Sequence, residues 1–101
     1  MKITYYGHSC FMVEINNARL LFDPFITPNP LAASINVDAI ECDYILLSHG
    51  HVDHVADAMK IAKRTGAKMI SNYEIIQNWL FIFNVYSYKF FFLFKKFESL
   101  R

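Results

Sequence analysis

The chain has 101 residues, with 10 Lys+Arg against 9 Asp+Glu, and is 54% hydrophobic and 17% aromatic. That length holds one compact domain at most, burying about two-thirds of the surface its unfolded chain exposes, and the apolar content excludes disorder over most of it. A formal net charge of +1 provides no field to attract nucleic acid or an anionic membrane, so no nucleic-acid partner is expected.

The opening Met1 to His8 lacks the apolar core of a signal peptide. Lys2 to Tyr6 and Cys10 to Ile15 are short β-branched and aromatic runs, and Asn16-Asn17 is the hairpin turn that returns the chain into Arg19-Leu20-Leu21-Phe22. The two cysteines, Cys10 and Cys42, are too few for a disulfide scaffold. They read as small core residues in a cytoplasmic, reducing compartment. Asp23 to Asp38 contains all three prolines and no clean period, which predicts a surface loop. Tyr44 to Leu47 is a continuous apolar run that ends at Ser48, as a buried central strand would.

Val55, Ala58, Met59 and Ala62 recur at helical spacing, Lys63 and Arg64 close the last turn, and Gly66 follows. One amphipathic helix over 54–65 is predicted, with Asp57 serving its first-turn dipole. Ala67 to Ile70 reads as a strand and Tyr73 to Leu80 as the start of a second helix. Strand, loop, helix and strand make a βαβ-type unit, so the fold class is α/β.

The chemistry is concentrated in Ser48-His49-Gly50-His51-Val52-Asp53-His54. In an extended stretch residues two apart point the same way, so His49 and His51 can converge on one point. Asp53 and His54 enter the helix and can face a second point beside it. Imidazole and carboxylate donors suit Zn²⁺, with Mn²⁺ or Fe as other occupants. Clustered imidazoles and a carboxylate gain nothing from lying where an apolar strand ends unless something binds them.

This motif, His-x-His-x-Asp-His, resembles the signature of the metallo-β-lactamase superfamily. Further matches are Tyr6-Gly7-His8-Ser9-Cys10-Phe11, Leu21-Phe22-Asp23-Pro24 and Ala62-Lys63-Arg64-Thr65-Gly66-Ala67. Residues 1–78 look most like the N-terminal part of small metal-dependent hydrolases related to ascorbate-phosphate lactonases. The resemblance implies the N-terminal half of an αβ/βα sandwich, a mixed sheet plus helices, here truncated. It makes His49 and His51 ligands of one metal, and Asp53 and His54 ligands of a second. Asp53 would also orient or deprotonate the attacking water. Two Zn²⁺ per complete site and hydrolysis of an ester, lactone, amide or phosphodiester in a small-molecule substrate by a metal-bound hydroxide follow from it. His8 would contact substrate or support the site. Asp23 reads either as a turn initiator before Pro24 or as the group that fixes histidine orientation.

A third histidine for the first metal, a bridging aspartate and another histidine for the second are expected from the later half of such a fold. Nothing after Tyr73-Glu74-Ile75-Ile76 supplies them. Of residues 80–101, 17 are Phe, Tyr, Asn, Ile, Lys or Leu, types encoded by codons rich in A and T. Residues 79–101 are therefore expected to be an aromatic and basic tail outside the family pattern, translated from the wrong frame or from non-coding sequence. The alternative is a catalytically inactive metal-binding fragment that self-associates, or that attaches to a membrane through the tail. Asn84, Ser87 and Lys89 interrupt the apolar run there, which argues against a membrane.

Overall fold

The computed structural model describes residues 1–71 and the backbone of residues 90–92. Six strands form one mixed sheet in sequence order: β1 (Lys2–Gly7), β2 (Cys10–Ile15), β3 (Ala18–Phe22), β4 (Tyr44–Leu46), β5 (Lys68–Ser71) and β6 (Phe90–Phe92). The first three form an antiparallel meander, and β3 to β6 pair in parallel.

The β2–β3 hairpin turns on Asn16 and Asn17, with φ of 50° and 64°, closing Ile15 against Ala18. Positive φ at both central residues is type I′ geometry, whose twist matches that of the flanking strands, and asparagine tolerates it. The predicted strands agree with those observed to within about one residue. The predicted helix at Tyr73–Leu80 and, apart from Phe90–Phe92, the tail lie outside the described residues.

Alternation along the strands places Cys10 and Met12 on β2, Leu21 on β3, Ile45 on β4 and Met69 on β5 on one buried face. Ala58, Met59, Ile61 and Ala62 join them in the same core. Burying an aliphatic side chain of this size contributes about 1.5 to 3 kcal/mol, so this layer is the main source of stability. Burial also pushes the Cys10 and Cys42 thiols up to about 11, which suits them to the core and not to reaction.

Two expectations need correction. Residues 23–38 are not a surface loop throughout: Asp23, Pro24, Ile26, Asn29 and Ala32 are buried. Short 3₁₀ turns at Pro30–Ala32 and Val37–Ala39 are each opened by an asparagine side chain, Asn29 and Asn36.

The predicted single helix is two: α1 (Val52–Val55) and α2 (Ala58–Thr65). Asp57 sits between them at φ −107°, ψ 2°. Its carboxylate makes no cap; it accepts hydrogen bonds from Ile26 N at 2.7 Å, Thr27 N at 2.8 Å and Thr27 Oγ1 at 2.6 Å. Its own N–H donates to Pro24 O. Asp57 therefore fastens the 23–28 segment to the helices, and the dipole role expected for it is replaced by this tether. At the far end Gly66 takes φ 73° and donates to Ala62 O at 2.9 Å, ending α2 as expected.

Candidate metal centre

Strand direction gathers the site. β1 runs with β3, because each is antiparallel to β2, and β4 is parallel to β3. The carboxyl ends of β1, β3 and β4 thus lie at one edge, where ligand sites of open α/β sheets form. Gly7-His8 leaves the first, Asp23 the second and Ser48 to His54 the third.

The exits are tightly built. Gly7 has φ 103°, and a Cβ there would come within 2.6 Å of Leu31 Cβ, so only glycine lets the 23–32 segment cross the strand end. His8 and Asp23 also take left-handed backbone, φ 55° and 44°, which histidine and aspartate adopt more readily than most side chains. The Tyr5 hydroxyl donates to His8 O at 2.7 Å, and Asp23 N donates to Leu46 O at 3.0 Å.

Asp23 is buried and orders its neighbours. It accepts from Ser48 N at 2.7 Å and Ser48 Oγ at 2.6 Å, and its Oδ2 meets His54 Nδ1 at 3.1 Å. A carboxylate can only accept, so the His54 proton resides on Nδ1 and the Nε2 lone pair is free. Ser48 has spent its one hydroxyl proton on Asp23. The 2.9 Å contact between its Oγ and His49 Nδ1 is therefore donated by the ring, freeing His49 Nε2 in the same way. Ser48, to which sequence reasoning assigned no task, positions two groups at once; its only signal was its place between an apolar strand and the first histidine.

The rings close up around these fixed points. His49 lies 3.9 Å from His54 and 4.5 Å from His51, centroid to centroid, and His54 lies 5.1 Å from His8. Asp53 Oδ1 stands 3.7 Å from His54 Nε2, and Asp53 Oδ2 stands 3.0 Å from His8 Nε2. All six residues proposed from the sequence, His8, Asp23, His49, His51, Asp53 and His54, are thus at one edge. A donor set in which His49 and His54 each keep an Nε2 lone pair beside the half-exposed Asp53 carboxylate fits a divalent metal. Among the described residues no helix is long and apolar enough to cross a membrane.

Residues 3–94 match the family model for the metallo-β-lactamase superfamily. A "UPF0173 metal-dependent hydrolase" of Methylacidiphilum infernorum is 60% identical over 75 residues, which are 74% of this chain and 33% of that protein. Its namesake in Flavobacterium johnsoniae is 51% identical over the same shares. Among solved structures, Igni18, a metallo hydrolase from the archaeon Ignicoccus hospitalis, superposes with a TM-score of 0.72 at 31% identity, covering 89% of this chain and 38% of that one. The chain spans about a third of the length of the curated relatives it matches. With the family model matched over residues 3–94 and a solved metallo hydrolase superposing on most of it, the chain belongs to the metallo-β-lactamase superfamily.

Proposed function

We propose that this chain provides the His49–His54 part of a metal-dependent hydrolase site, acting on an ester, lactone, amide or phosphodiester of a small molecule. His49 and His51 would hold one ion, and Asp53 and His54 a second, with Zn²⁺ the best match and Mn²⁺ or Fe acceptable to the same donors. When bound, such an ion supplies Lewis acidity and brings the pKa of a water down to about 7. Asp23 orients His54 and, through Ser48, His49, so that both keep Nε2 available to an ion. Asp53, the catalytic residue of this reading, stands half in solvent, where its carboxylate can orient a water and take its proton. Histidine ligands oriented by a carboxylate are the usual support of metal sites.

What carries the reading is one observation: Asp23 and Ser48 commit the Nδ1 positions of His54 and His49, leaving both Nε2 atoms free. The test is metal analysis of the full chain beside turnover of a chromogenic phosphodiester and a lactone. Two tightly held Zn²⁺ and hydrolysis are expected, with one of the ions and the hydrolysis lost in His51→Ala; a chain that takes up no metal overturns it.

A second reading, a catalytically inactive metal-binding chain that self-associates, is favoured by the apolar sheet face opposite α2. Phe11, Phe22, Leu46 and Ile70 share one cross-strand row on it. Metal uptake without turnover, in a protein larger than a monomer, is the outcome that selects it. A cytoplasmic setting is proposed for either reading, from the free, buried Cys10 and Cys42.

A further inference from the structure

We propose that His8 is itself a metal ligand, completing with Asp53 and His54 a three-donor site for one divalent transition-metal ion drawn wholly from residues 8–54. This rests on the reading that Asp53 and His54 hold an ion, and adds a donor to it from the first strand exit.

Donors about 2.0 to 2.2 Å from a tetrahedral zinc stand roughly 3.3 to 3.6 Å from one another. His8 Nε2 to Asp53 Oδ2 is 3.0 Å and His54 Nε2 to Asp53 Oδ1 is 3.7 Å, which brackets that range. One ligand atom from each of the three residues lies within 4.8 Å of the others, so a small inward shift of two rings closes the set. Asp53 faces one imidazole with each oxygen, and Asp23 holds His54 from behind through Nδ1; the proton that His8 Nε2 donates to Asp53 Oδ2 would move to His8 Nδ1 or to solvent as the ion takes its place.

His8 takes left-handed backbone, which histidine adopts more readily than most side chains, and an exposed pair with Asp53 adds little to hold it there. The Tyr5 hydroxyl on His8 O and the edge of Phe25, 5.7 Å from the His8 ring, hold that conformation in place. With side chains 41% and 47% exposed at His8 and Asp53, the ion has an open approach. Two imidazoles and a carboxylate leave a position free, as open metal sites require.

The experiment uses the full chain with Co²⁺ or Zn²⁺ alone. His8→Asn is the chosen variant, because asparagine tolerates left-handed backbone and cannot reach the ion, with circular dichroism to confirm the fold. Expected are a loss of Co²⁺ affinity of tenfold or more and one fewer Co²⁺-shifted imidazole N–H resonance, while the His49→Ala/His51→Ala double variant still binds one ion. In the wild-type chain, independently of any variant, the ¹⁵N resonance of His8 Nε2 moves on Zn²⁺ addition to the position of a ligated nitrogen. If the chain binds metal and His8 Nε2 does not move, His8 is only a hydrogen-bond partner of Asp53 and this inference alone falls. If the wild-type chain binds no Co²⁺, the reading of the site falls with it.

Discussion

Asp57 shows how a single carboxylate can hold a site it does not enter. Its three accepted hydrogen bonds, all from Ile26 and Thr27, bind the segment that carries Phe25 past His8. Alanine at 57 leaves the Ile26 amide buried without a partner, and hydrogen bonds to a charged group are worth about 1.5 to 3 kcal/mol each before relaxation. Asp57→Ala is expected to lower the unfolding free energy by about 3 kcal/mol in urea titration, and Asp57→Asn by about half as much, since its amide keeps one acceptor. Equal losses in the two variants sink this account. From the sequence Asp57 was indistinguishable from a first-turn aspartate, because its partners lie some thirty residues away. A still longer separation, from position 8 to position 53, hid the contact of His8 with Asp53, whereas the metal motif itself was legible because its members are neighbours along the chain.

At the scale of elements, what local chemistry determines was read correctly and what packing determines was not. The Asn16-Asn17 turn, the alternation of β2 and the Gly66 stop each follow from dihedral preference or period, and each stands where expected. The break between α1 and α2 and the burial of Asp23, Pro24, Ile26, Asn29 and Ala32 depend on tethers between distant segments, which no period records. The two glycines with positive φ offer a matched comparison. Gly66 has nothing within 4 Å of a built Cβ, whereas Gly7 has Leu31 Cβ at 2.6 Å. Gly66→Ala should cost about 1 to 2 kcal/mol, the left-handed penalty alone, and Gly7→Ala about 3 kcal/mol or more once overpacking is added. Thermal unfolding of the pair checks the order, and a Gly7 variant no less stable than the Gly66 one contradicts the close crossing at Leu31.

For the whole molecule, the sheet has two unlike faces. One packs on α2; the other carries the row Phe11, Phe22, Leu46 and Ile70, with Phe11 and Phe22 stacked at 4.6 Å, and beside it Val13, Leu20 and Tyr44. Ile3, Tyr5 and Ile15 extend this face toward its edge at 60%, 65% and 42% exposure. An apolar surface of this kind favours association. Under the second functional reading, light scattering after gel filtration should give a mass of at least twice 11.8 kDa at tens of micromolar. Leu20→Glu should then shift it toward the monomer without loss of circular dichroism. A wild-type monomer under those conditions removes the self-association reading.

The turn at Asn16 and Asn17 acts as a ruler for chemistry at the opposite end of the sheet. Its two residues set which side of β3 faces the core, and β3 delivers Asp23 one residue after Phe22. One residue added to that turn would invert the faces of β3 or force a bulge to absorb it. Asp23 would then leave the sheet on the wrong side, away from Ser48 and His54. Spacing in a solvent-exposed turn that touches neither metal nor substrate is therefore under the same constraint as the histidines themselves.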